Sequence, residues 1–227
     1  MLVKGSIVSA MSGKMGGIVA SHNAGGQYLR QYSVPTNPST IYQEAVRNAI
    51  ATLTSRWTSV LTQDNRDQWA VFAANMTTTN PLGDTGLNPA LSWYCACNVP
   101  RIQAGIAVVD AGPSTFTMAT LTPPVATITA AGTTVSLAFT NTDAWANEAG
   151  GYLLVYASRP QSVGINFFKG PYRYSGKVTG AATPPTSPAT ITLAFASGPT
   201  GSKQFFQVRC VRADGRISAP FRIFDIA

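Results

Sequence analysis

Apolar residues recur every three to four positions from Ile41 through Ala45, Ala49, Leu53, Trp57 and Leu61, the period of a helix that buries one face. Ahead of them, Asn37 offers a cap and Pro38 a first helical residue whose missing N–H costs nothing. Thr62 restarts the chain as a second cap, and Trp69, Phe72, Ala73 and Met76 form a further stripe. The spacing predicts two helices turning at Leu61-Thr62, with Trp57, Leu61, Trp69 and Phe72 in the core and the two indoles against each other. Asn88-Pro89 repeats the Asn-Pro start. It predicts a third helix, centred on Trp93 and running to about Gln103, which Pro100 should break or kink.

Before the helices, residues 1–36 are glycine-rich. Ile18 and Val19, then Tyr28, Leu29 and Tyr32, predict two strands around a turn at His22-Asn23-Ala24-Gly25-Gly26. Such a hairpin has too few apolar side chains to stand alone. It is expected to lie partly between subunits, with Lys14, Tyr28, Arg30 and Tyr32 as contact candidates. From Pro124 onward the pattern changes to short alternating runs over residues 126–130, 134–139, 151–156, 189–195, 205–212 and 217–223, with Asp214-Gly215 as a hairpin turn. These runs predict an antiparallel β-sandwich of immunoglobulin type. The last hairpin, with Phe206, Val208 and Cys210 on one face, resembles the closing strands of fibronectin type III domains. The expected class is therefore α+β. It comprises a hairpin-plus-helices anchoring domain over 1–104, a Pro/Gly/Thr linker over 105–123 and a sandwich over 124–227.

Charge alters this picture more than size does. Only 11% of the 227 residues are charged, against roughly 25% in ordinary soluble proteins. A surface so weakly solvated suits a chain packed against neighbours. The net charge of +7 is scattered singly and forms no basic run, so nucleic acid is not expected as the main partner. Cys95, Cys97 and Cys210 give no even disulfide framework and, with His22 the single histidine, no zinc spacing. Buried free thiols in a reducing cytoplasm are expected. No secretory signal is read at the N-terminus, and no apolar run approaches a membrane span.

Candidate chemistry is sparse. Ser21 and His22 would need an orienting carboxylate, and the nearest in sequence, Glu44, belongs to the next helix. Gly13-Lys14-Met15-Gly16-Gly17 lacks phosphate-loop spacing and reads as flexible chain suited to close backbone contacts. Asp64 and Asp67 fall in a first helical turn, where they favour the dipole. Asp143 and Glu148 flank Trp145 in a loop that has a carbohydrate-binding look; the same Trp145 is readable as a partner-protein contact or as simple packing. Phe167, Phe168 and Tyr172 lie in an aromatic, basic segment readable as a core strand or as a contact patch. No catalytic residue, metal or cofactor is expected.

Residues 13–75 resemble small structural proteins of tailed phages and prophages. The likeness rests on Gly25-Gly26-Gln27-Tyr28-Leu29-Arg30, on Pro35 to Thr40 followed by Gln43 and Arg47, and on a Trp-x(3)-Leu-Thr-x(3)-Arg-x(2)-Trp element from Trp57 to Trp69. It implies a non-enzymatic virion component assembled in the host cytoplasm. A capsid decoration or cement protein on the major capsid protein, oligomeric on the particle, ranks first. A tail or neck component, or a host-surface and carbohydrate-binding module, is the alternative.

Overall fold

The computed structural model describes residues 12–23, 26–34, 36–79 and 85–227. The chain is α+β. Its described elements run β1 (Gly13–Met15), β2 (Ile18–Asn23), β3 (Gly26–Gln31), α1 (Ile41–Ser59), α2 (Gln63–Asn75), β4 (Thr77–Thr79), β5 (Thr85–Leu87) and α3 (Ala90–Gln103). They continue with β6 (Val125–Ile128), β7 (Thr134–Ala138), β8 (Tyr152–Ala157), β9 (Gln161–Ser162), β10 (Arg173–Thr179), β11 (Ala189–Thr192), β12 (Ser202–Val211) and β13 (Phe221–Ile226).

Local chemistry fixes the helix starts. Thr40, not Asn37, caps α1: its hydroxyl accepts from the Gln43 N–H at 3.4 Å while the Gln43 side chain accepts from the Thr40 N–H at 3.3 Å. Asn37 instead accepts from Arg47 Nη2 at 2.7 Å and ties the incoming chain to the helix. Thr62 caps α2 as expected. Helix α3 continues past Pro100 to Gln103, so no break occurs there. Its last turn is pinned from outside, because Arg101 donates to the carbonyls of Ala107 at 2.7 Å and Arg212 at 3.1 Å.

Two antiparallel sheets follow, one ordered β10-β8-β12-β13 with β9 pairing an end of β12, the other β11-β7-β6. Alternation decides what each face meets. Phe206, Val208 and Cys210 of β12 point, as the sequence pattern predicts, into a core with Leu153, Val155, Val135, Leu137, Ile128 and Ile191 from both sheets. Leu154, Val211 and Ile217 point the other way, into a second core with Leu53, Leu61, Trp69, Phe72, Trp93, Tyr94 and Cys97 of the helical layer. Buried on both faces, β8 carries an unbroken apolar run, Tyr152-Leu-Leu-Val-Tyr-Ala157. Burial pushes the Cys97 thiol up to about 12 and the Cys210 thiol up to about 11.

The expected contact between Trp57 and Trp69 is mediated by a third ring. Tyr94 of α3 lies between them, 5.5 Å from each. Trp57 is only half-buried. Residues 105–123, read as a linker, carry the junction that organises this layer. The Asp110 carboxylate accepts from Arg56 Nη2 at 2.5 Å and from the Tyr94 hydroxyl at 3.1 Å, and its carbonyl accepts from Trp69 Nε1 at 2.9 Å. Asp110 raises the Arg56 pKa, and burial pushes Tyr94 up to about 12. Further along, Met118 packs on the helical core and Ala119 and Leu121 enter the two-sheet core.

Candidate interaction surfaces

The N-terminal strands form one small antiparallel sheet in the order β1-β2-β3. The glycine-rich piece read as flexible chain is its first hairpin: Met15 pairs with Ile18 across Gly16-Gly17, and Gly16 takes a φ of 57°. His22, expected in a turn, lies within β2 opposite Gln27 and is exposed. The structure brings the four contact candidates onto this sheet. Lys14 Nζ sits 3.7 Å from the centroid of the Tyr32 ring, Tyr28 pairs with Ser21 and Arg30 with Val19. Ala20 is the only described residue of the sheet that is buried.

Helix α1 carries a further exposed apolar surface. Of the predicted stripe, only Ala49 and Leu53 within the helix are buried, with Leu61 just beyond it. Ile41 is 82% exposed, and Tyr42, Val46 and Ile50 also face solvent. The correction has a geometric reason. Helix α3 ends at Gln103 and covers only the later turns of α1, so the periodic stripe outruns the layer that could bury it.

A second surface lies on the outer face of the five-stranded sheet, at the end the helices leave open. Phe168 stacks on Phe205 at 5.7 Å and meets the Tyr172 ring edge-on at 5.4 Å, while the Tyr172 hydroxyl donates to the Phe168 carbonyl at 2.8 Å. These two side chains hold the loop before β10 onto the sheet. Phe167 points outward, 65% exposed, with the Arg222 guanidinium 5.3 Å from its ring. Beside it Phe224 is half-exposed and carries Lys203 Nζ at 4.4 Å. The segment that sequence alone left open is thus a loop with one outward ring, Phe167, and two rings packed on the sheet, followed by a strand that the alternation did not reveal.

Trp145 does not belong to any contact surface. It is fully buried, 5.3 Å from Phe139 in the two-sheet core. Its two acidic neighbours serve the fold. Asp143 accepts from the Thr122 N–H at 2.8 Å and hydroxyl at 2.7 Å, and Glu148 forms a two-point ion pair with Arg212. The backbone chooses burial here: a Cβ added at Gly151 or at Gly180 would sit 2.1 Å from the Trp145 carbonyl oxygen. Only residues lacking that atom let the loop close around the indole.

Among the described residues, no group of three or more His, Cys, Asp or Glu is placed to hold a metal ion, and no helix is long and apolar enough to cross a membrane. Comparison with protein-family profiles, with curated proteins and with solved structures returned no match to this chain.

Proposed function

We propose that this chain is a non-enzymatic structural protein of a tailed-phage particle, joined to its neighbours through the sheet β1–β3 and the bare flank of α1. The observation that carries the reading is the mismatch between order and burial at the N-terminus. Three paired strands form there, yet a sheet this small is stable only when an apolar face is covered, and Ala20 alone is buried. Ile41, Tyr42, Val46 and Ile50 of α1 are exposed as well, a second apolar surface suited to burial against another subunit. A decoration or cement protein on the major capsid protein, in several copies per particle, ranks first; a tail or neck component ranks second.

For the C-terminal strands the same reading takes an immunoglobulin-like sandwich. If β6, β7, β8, β11, β12 and β13 are named A, B, C, E, F and G, one sheet reads E-B-A and the other C-F-G, as in constant-type domains. Of the two remaining strands, β9 pairs an end of β12, and β10 sits on the C edge instead of the E edge. An experimental structure that separates β7 from β11 would remove this reading.

Deleting residues 1–34 should leave the far-UV circular dichroism of the helices and the larger sheets intact and abolish incorporation into particles. Normal occupancy of the truncated chain would overturn the assembly role. Particles lacking the whole protein should become fragile to heat or low ionic strength while keeping their tails. Loss of tails from sound heads would move the protein to the tail.

The outward ring of Phe167 favours a second reading, adhesion to host glycans. Exposed aromatics with adjacent cations stack on sugar faces and bond their hydroxyls. Phe167→Ala with Arg222→Ala should then abolish retention on a glycan array and on host cells. Absence of wild-type binding at high micromolar protein removes the idea.

A further inference from the structure

Between α3 and the outer face of the five-stranded sheet runs a cavity of about 890 Å³. Trp93, Val99 and Pro100 of α3, with Met118 and Ile217, give it apolar walls; Gln207 and Arg209 of β12 are polar residues of its lining. A second cavity of about 330 Å³ adjoins it under Tyr42 and Val46 of α1. The two share Gln103, Tyr156 and Tyr172, so they join into one groove whose wall follows α3 from Ser92 to Gln103, about 16 Å at 1.5 Å per residue, and continues to Tyr42 of α1.

Arg209 is anomalous in this setting. Its Nε is buried without a hydrogen-bond partner, and its side chain forms none of the ion pairs among the described residues. The groups that act on it electrostatically are Tyr156 and Cys97, and no carboxylate is among them; burial lowers its pKa from the ordinary value. Trp93 Nε1, from a residue lining the same cavity, is a second buried donor without an acceptor. A half-buried guanidinium whose Nε reaches neither water nor an acceptor, with no counter-charge beside it, is costly to keep, and natural proteins rarely leave such groups unexplained. What is missing is an acceptor, and guanidinium geometry favours a carboxylate.

We propose that this groove binds an extended polypeptide segment of a partner protein, apolar along its length, that seats one acidic side chain on Arg209. The length of the groove argues for a polypeptide over a small metabolite. Charge argues against the chain's own N-terminal arm, from this subunit or a neighbour, because residues 1–43 contain two lysines and one arginine and no carboxylate side chain. The groove shares Tyr42, Val46 and Ile50 with the α1 flank of the proposed assembly surface, but Arg209 lies outside that surface, so the proposal stands whether or not β1–β3 make the assembly contact.

The test uses the full chain and two fluorescein-labelled eleven-residue peptides of leucine, valine and serine, one with a single central glutamate and one with glutamine there. Fluorescence anisotropy should show the glutamate peptide binding at least about tenfold tighter. Arg209→Met should erase that preference and leave the weaker glutamine peptide unchanged, while Arg209→Lys retains part of it. Because the free protein carries the cation unpaired, Arg209→Met should also raise the melting midpoint by about 2–4 °C. Equal affinity for the two peptides, no binding of either up to millimolar concentration, or a preference that survives Arg209→Met would overturn the proposal. Sodium hexanoate binding as tightly as the glutamate peptide, and equally dependent on Arg209, would replace the polypeptide by a free carboxylate. If Arg209→Met lowers the midpoint, Arg209 is a structural cation and the site is refuted.

Discussion

Trp69→Ala is expected to destabilise the protein by about 3–5 kcal/mol, the usual cost of truncating a fully buried large aromatic residue. Trp69 is wholly inaccessible, meets Phe72 and Tyr94 edge-on and donates its indole N–H to the Asp110 carbonyl. Its loss therefore opens a cavity and also leaves the part-buried Asp110 carbonyl without its donor. Trp57→Ala should cost less, about 2 kcal/mol, because that ring packs on the edge of the helical core and is only partly buried. Leu154, Val211 and Ile217 of the sheet share the core around Trp69. The helical signal and the near-ultraviolet signal of the sheet should therefore disappear together in urea. Equal losses for the two substitutions, or a helical layer that melts while the sheet stays folded, would contradict this account.

The second large effect is expected at Trp145. Trp145→Ala should cost about 3–5 kcal/mol and act on the two-sheet core, where the indole packs against Phe139. Any host-cell retention due to the Phe167 patch should survive under conditions in which the variant stays folded. The checking measurement is the urea midpoint of the variant beside its adsorption at low temperature. Unchanged stability with lost adsorption would return Trp145 to the surface and refute the burial argument.

These two tryptophans show which features the sequence made legible. Periodicity found both helices around Leu61-Thr62, because the side chain of Thr62 announces its own cap. It also found the inward face of β12, where strict alternation survives. The start of α1 was misplaced because Asn37-Pro38 is a strong local signal; Thr40 and Gln43, three apart, carried the reciprocal cap that settles it. Strand β10 escaped because its register with β8 shifts between Tyr174 and Gly176, which breaks alternation. Trp145 and Asp110 could not be placed from their neighbours at all. One is enclosed by glycines at 151 and 180, the other draws in Arg56, Trp69 and Tyr94 from up to 54 positions away. Contacts of that range leave no local periodicity. The groove around Arg209 belongs to the same kind, since an alternating strand gives no hint that one outward cation will be roofed over by a helix.

The two-faced burial of β8 also bears on how such a protein could be re-used. A β-rich unit that presents water-compatible residues on both outer faces can be cut out and fused to another protein. Residues 124–227 would not travel so easily. Leu154, Val211 and Ile217, with Tyr152 and Tyr156 beside them, would arrive as a bare apolar stripe wherever α1 to α3 were left behind. Grafting the sheets requires either carrying their helical roof along or repainting that stripe with polar side chains.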